Sequence, residues 1–271
     1  MNEKESKKRG ADKMSGMDWM RPRLEALPGN ISALCRNLET GESFAFRPEA
    51  RHGSASVIKL YLMAAMFQGF ADGEFRPEDR LTVREKDCVP SCGVLTYLDR
   101  DQEWSLRDLT ELMIIVSDNT ATNVLADFYT LSRIQTFISD RLGLRDTFFR
   151  RKMYDTEAKR RGIENETTVR DTGWLLESIW RGELVNPEAS AQMLGMLRHQ
   201  RLNGKIPFRL HTLENAPRIA HKTGEDDGTT HDVGIVEGKQ PLLLCLMGNE
   251  TDVPAFEREM GDLAWELYHR L

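Results

Sequence analysis

No apolar run in this 271-residue sequence approaches the roughly 20 residues that a membrane-spanning helix needs, so no membrane span is expected. Cysteine is scarce: Cys35, Cys88, Cys92 and Cys245 form no C-x-x-C pair, and no histidine lies near Cys88 or Cys92. That pattern argues against a zinc site, and neither a metal nor any other cofactor is expected. Free thiols are expected, because a local Cys88–Cys92 disulfide across Val89, Pro90 and Ser91 would need oxidising conditions. Cys35 and Cys245 fall in predicted strands and read as small core residues.

Basic charge is also short. The chain has 37 Lys and Arg against 43 Asp and Glu, a net charge of −6. A nucleic-acid-binding domain carries a basic face. Here the dense basic clusters are Lys7-Lys8-Arg9, Arg150-Arg151-Lys152 and Lys159-Arg160-Arg161, which read as solvated faces. No nucleic-acid partner is expected. The first 18 residues lack the apolar centre of a signal peptide. The sequence as it stands reads as cytoplasmic, or as secreted or periplasmic if a leader has been removed.

What is present suits a globular domain: 40% of residues are hydrophobic and 30% charged. Residues 1–18 read as a disordered tail, and 19–271 as one catalytic domain. A short helix is predicted at Met20–Leu27, ended by Pro28-Gly29, then a strand over Ile31–Leu38 and a hairpin partner over Ser43–Arg47. Helical periods follow at Val57–Phe70, Leu106–Val116 behind a Ser105–Asp108 capping box, Thr120–Tyr129, Ser132–Leu142, Arg170–Trp180 and Pro187–His199. Strands return at Arg218–Lys222, Asp232–Val236 and Leu242–Met247, before a helix at Pro254–Tyr268. The fold class is therefore α+β. An antiparallel sheet is built from both ends of the chain (about 19–55 and 205–271), with an all-helical part (about 56–204) inserted between them.

Three short motifs carry chemistry. Ser56-Val57-Ile58-Lys59 places a hydroxyl and an amine one helical turn apart, at the head of an almost wholly apolar helix. Burial lowers a lysine's pKa, so Lys59 can become a base for Ser56. Ser117-Asp118-Asn119 lies between two predicted helices, where a hydroxyl and an amide can relay a proton and grip a carbonyl. Lys222-Thr223-Gly224 closes a predicted strand, offering an ammonium and a hydroxyl to a carboxylate, while Gly224 lets a substrate backbone come close.

Each tripeptide alone is commonplace, but together, in this order and over nearly all of residues 20–270, they resemble the penicillin-recognising serine hydrolases. The Ser-Asp-Asn form is similar to class A β-lactamases. The resemblance implies an α/β sandwich and a set of roles. Ser56 is acylated, Lys59 moves its proton, and Ser117 passes a proton to the leaving nitrogen. Asn119 binds the substrate's side-chain amide, and Lys222 and Thr223 bind its carboxylate. The backbone N–H groups of Ser56 and Glu225 form the oxyanion hole. A small-molecule substrate and a monomer are expected.

Two departures stand out. Class A enzymes carry a glutamate in an Arg-x-Glu-x-x-Leu-Asn loop that activates the deacylating water. Here the segment reads Arg150-Arg151-Lys152-Met153-Tyr154-Asp155-Thr156-Glu157. Lys152 or Met153 falls where the glutamate is expected, leaving Asp155 or Glu157 as substitutes. Second, Lys222-Thr223-Gly224 runs on into Glu225-Asp226-Asp227, three carboxylates beside a site meant for another. No arginine follows on the next strand; His231 and Asp232 begin it. The expected function is hydrolysis of β-lactam antibiotics through an acyl-Ser56 intermediate, with slow deacylation. A D,D-peptidase or esterase on the same scaffold, or a β-lactam sensor that stays acylated, remain as alternatives.

Overall fold

The computed structural model describes residues 16–90 and 92–270. The expected disordered tail thus lies outside the described residues up to position 15, as do Lys7, Lys8, Arg9 and Ser91. Its boundary is corrected: Met17 is buried and Asp18 opens a 3₁₀ turn, Asp18–Met20. Met17 and Met20 belong to the core, which fixes the chain two residues earlier than expected.

From that turn the chain enters α1 (Arg21–Glu25), then β1 (Asn30–Asn37), β2 (Ser43–Phe46) and the short β3 (His52–Gly53). A 3₁₀ turn, Ala55–Ile58, leads into α2 (Lys59–Ala71). Next come β4 (Arg80–Val83), β5 (Gln102–Ser105), α3 (Leu106–Ile115), α4 (Asn119–Tyr129) and α5 (Leu131–Thr136). After a π-helical turn, Phe137–Arg141, follow α6 (Thr156–Arg160), β6 (Glu166–Thr167), α7 (Val169–Trp180), α8 (Pro187–Arg198) and α9 (Pro207–Leu210). The chain closes with β7 (Arg218–Asp226), β8 (Thr229–Glu237), β9 (Leu242–Asn249) and α10 (Val253–Arg270).

The main sheet has the order β2-β1-β9-β8-β7, antiparallel throughout. It joins the two ends of the chain, with Ala33 opposite Leu246, as the strand pattern predicts. The run Leu242–Met247 becomes the middle strand and is buried on both faces. Leu242, Leu244 and Leu246 pack into one core with α1, α9 and α10. Leu243, Cys245 and Met247 pack into the other, with the helical layer around α2. Period-two alternation therefore feeds two cores from one continuous apolar strand. Arg23 of α1 clamps α10 through Glu259 and Glu266.

In the helical layer, α2 is buried from Lys59 through Gly69, as an all-apolar helix must be. Polar caps set the helix starts: Ser105 accepts from Asp108 N at 3.0 Å, Thr168 from Asp171 N at 3.0 Å and Asn186 from Ala189 N at 2.8 Å. Two expectations change. The helix predicted at Val57 starts at Lys59, because Val57 N bonds back to Ser54 O at 3.0 Å in a tighter 3₁₀ turn. The strand predicted to end at Lys222 runs to Asp226, where Glu225 pairs with Thr230 and Asp226 with Thr229. Charged residues there mark a half-exposed strand end, and Gly228, at φ 62°, makes the turn back.

Leu244 is fully buried between β1, β8 and α10. Leu244→Ala is expected to cost about 2–5 kcal/mol of unfolding free energy through the cavity it leaves. Urea denaturation should show a lower midpoint with an unchanged slope.

Candidate active site

The Ser56 turn is held from three sides. Ser54 N donates to Asn165 O at 2.8 Å, which ties the turn to the segment entering β6. His52 Nδ1 lies 2.6 Å from Asn249 Oδ1, and Asn249 Nδ2 donates to Gly53 O and Thr229 Oγ1. His231 Nε2 donates to Gly53 O at 2.8 Å, while its Nδ1 accepts from Gly248 N at 3.1 Å. Burial, together with the neighbouring His52, lowers the His231 pKa to about 3. The ring is therefore a neutral spacer, whose Nδ1 also lies 2.9 Å from Thr230 O. None of these pins was predicted as a site residue. Their only sequence signal is polar residues inside strands.

Ala55 sits at φ 43°, Ser117 at φ 55° and Tyr154 at φ 62°, and all three line one cleft of about 490 Å³. Non-glycine residues in this region are strained by about 1–3 kcal/mol each, and such strain gathers where a surrounding structure must hold an unusual geometry. Ser56 lies half-buried in this cleft. Its hydroxyl makes no hydrogen bond among the described residues, which leaves Oγ open to an incoming group.

Lys59 does not bond Ser56 directly. Its Nζ donates to Ser117 O at 2.7 Å, Asn119 Oδ1 at 2.7 Å and Ser117 Oγ at 3.0 Å. Lys222 Nζ reaches the same Ser117 Oγ at 3.0 Å and Thr223 O at 2.8 Å. Both lysines are fully buried. Desolvation, then the charge of Lys222, drives the Lys59 pKa well below its ordinary value. Desolvation, then Lys205, brings Lys222 down to about 7. Two cationic amines beside one buried hydroxyl repel each other, which favours loss of a proton from one of them.

Asp118, between Ser117 and Asn119, is structural. Its Oδ1 caps α4 through Ala121 N at 3.0 Å, and its Oδ2 accepts from Val94 N at 2.7 Å and Leu95 N at 2.9 Å. That carboxylate binds the Cys92–Leu95 loop to the motif. Gly93, at φ 116°, leaves the room: a Cβ there would sit 2.3 Å from Asp118 Oδ2. All four cysteines are free thiols, with Cys35 and Cys245 buried.

β7 is the edge strand, and its Thr223 and Glu225 line the cleft. A Cβ at Gly224 would lie 3.0 Å from His231 Cδ2, 3.1 Å from Val57 Cγ2 and 3.2 Å from Ser54 O, so the bare α-carbon lets the Ser54–Val57 turn pack closely on β7. Beyond Gly224, two of the three acidic residues are paired. Glu225 meets the buried Lys205 at 3.0 Å, and Asp226 meets Lys159 at 2.7 Å. Lys205 also faces Glu257 at 3.5 Å.

The opposite wall is the segment Arg151–Thr156. Lys152 turns out to Asp127, with Nζ–Oδ2 at 2.9 Å, whereas Met153 faces into the cleft. Asn123 fixes Met153 by a pair of bonds: Met153 N donates to Asn123 Oδ1 at 2.8 Å, and Asn123 Nδ2 donates to Met153 O at 3.0 Å. Met153 is thus the cleft residue of the two that stand where the glutamate is expected. Asp155 lines the cleft as well, but its Oδ1 caps α6 through Ala158 N at 2.9 Å. Glu157 is exposed and does not line the cleft. Among the described residues no cluster of three or more His, Cys, Asp or Glu is placed to hold a metal ion, and no helix is long and apolar enough to cross a membrane.

Comparison with known proteins agrees with this geometry. The sequence model of the Beta-lactamase enzyme family matches residues 20–271. A β-lactamase structure from Sphaerobacter thermophilus is 30% identical, with a TM-score of 0.83 over 93% of this chain and 94% of that one. The structure of PBP-A, at 24% identity, superposes with a TM-score of 0.83 over 94% of each chain. An ancestral class A β-lactamase, at 20% identity, gives 0.84 over 94% of this chain and all of that one. No curated protein matches. The chain therefore has the β-lactamase fold and belongs to the β-lactamase enzyme family.

Proposed function

We propose that the protein is a class A-like serine hydrolase that opens β-lactams through an acyl-Ser56 intermediate and releases the product slowly. One observation carries the reading: Ser56 lines the same cleft as Ser117, and two buried amines meet at Ser117 Oγ. Ser56 Oγ attacks the lactam carbonyl carbon while its proton passes to neutral Lys59. The developing oxyanion takes hydrogen bonds from the N–H groups of Ser56 and Glu225. The C–N bond then breaks, and Ser117 hands a proton to the leaving nitrogen, drawing a replacement from the lysine pair. Asn119 holds the side-chain amide, and Lys222 with Thr223 the carboxylate. Water finally cleaves the Ser56 ester.

The slow last step follows from the loop. Met153 offers no base, and Asp155 has Oδ1 engaged in capping α6, which leaves Oδ2 alone to activate a water. A variant of PBP-A, a protein of the same fold, is described as an acyl-enzyme complex with penicillin G. That supports a second reading, a penicillin-binding hydrolase whose natural substrate is a peptide. Turnover distinguishes the two.

Three outcomes are expected. Intact-mass analysis with a penicillin should show an adduct that persists on the wild type and is absent from Ser56→Ala; equal adduct on both overturns the assignment. Asp155→Asn should lengthen the adduct's lifetime by roughly tenfold or more if Asp155 activates the water, with Glu157→Gln unchanged. The pH profile should be a bell. A lysine with a lowered pKa is neutral above that value, so acylation falls as pH drops and Lys59 gains a proton. Lys222 binds a carboxylate only when protonated, so its grip weakens as pH rises through about 7 in the empty cleft. Lys222→Arg, which cannot lose its proton, should remove the alkaline limb seen in kcat/KM.

A further inference from the structure

The geometry points to the Lys159–Asp226 ion pair as a bolt across the Ser56 cleft that selects substrates by the width of their acyl group. This rests on the acyl-Ser56 reading above. Lys159 lies on α6, and Asp226 is the last residue of β7. Both line the cleft, from opposite walls, and their Nζ–Oδ2 distance is 2.7 Å. The pair directly bridges the two walls. Asp226 is fixed before Lys159 arrives, because its Oδ1 accepts from Asp227 N at 2.9 Å. Burial raises the Asp226 pKa, but the bonds from Lys159 and Asp227 outweigh it and hold the carboxyl below its ordinary value. Arg151, the other cation on that wall, is taken by Glu164 at 2.7 Å.

With the carboxylate end of a substrate at Lys222 and Thr223, and its amide at Asn119, the rest of the acyl group must lie along Met153, Tyr154, Lys159 and Asp226. The ion pair spans that space. Its side chains are 47% and 41% exposed, so the pair is hydrated and only weakly held. A bolt of this kind discriminates rather than excludes. Compact acyl groups fit beneath it, while wide, branched ones enter only when the pair parts. Salt screens an exposed pair, so added salt should act like a mutation.

The test compares wild type with Asp226→Asn, Lys159→Gln and the double variant. Benzylpenicillin serves as the compact probe and cefotaxime, with its branched oxyimino group, as the wide one. The rate of Ser56 adduct formation is followed by mass spectrometry, and amide exchange is followed over residues 153–160 and 223–227. Each variant should raise the wide-to-compact rate ratio by about three- to fivefold, the most that parting an exposed ion pair supplies. The double variant should add little further, since the first substitution already removes the bridge. High salt should raise the ratio in wild type and not in the variants. Exchange over both segments should quicken. A ratio unchanged within about twofold, with normal adduct formation, overturns the role in substrate choice. Unchanged exchange overturns the bolt itself. If neither probe labels Ser56 in wild type, the acyl-Ser56 reading falls, and exchange still decides whether the two walls are bolted.

Discussion

The structure depends on one unfavourable act: the burial of two lysine amines around a single serine hydroxyl. Lys59 and Lys222 each place Nζ 3.0 Å from Ser117 Oγ, with no solvent exposure. Among the described residues neither hydrogen-bonds a carboxylate, so charge on both would be expensive, and burial pushes both amines toward the neutral form. The arrangement needs three distant parts of the chain at one point: the start of α2, the junction of α3 and α4, and β7. The sheet drawn from both ends of the sequence supplies the last, and the helical layer packed on it supplies the others.

Around that point the polar residues serve mainly to hold backbone. Asp118 ties the Cys92–Leu95 loop to the serine junction, and Asn123 fixes Met153. His231 and Asn249 pin Gly53, three residues before Ser56. The strained φ angles of Ala55, Ser117 and Tyr154 persist because these bonds over-determine them. Each pin joins segments far apart in sequence. A deletion at any of them loosens the cleft without touching a reacting atom.

That distance explains what could be read from the sequence and what could not. The apolar period over Leu242–Met247 and the all-apolar α2 were legible because burial acts on every residue of an element. The three motifs were legible because each is local. The pins were not, since a lone Asn or His inside a strand carries no local pattern that names its partner. The continuation of β7 to Asp226 was hidden for a similar reason: charged residues suggest a loop until the partner strand is known. Lys152 and Met153 were equivalent in sequence; only the bonds from Asn123 decide which one faces the cleft.

The same partner chemistry resolves the acidic run after Gly224. Three carboxylates beside a site for an anionic group would repel it if they stood alone. Lys205 faces Glu225 and Lys159 faces Asp226, so much of that charge is balanced within the walls. Lys205 does a second thing. Its charge, after desolvation, helps lower the Lys222 pKa to about 7, although the role proposed for Lys222, holding a substrate carboxylate, needs the cation. The two agree on that proposal: an arriving carboxylate favours the charged amine and raises its pKa, so binding and protonation of Lys222 become one coupled event.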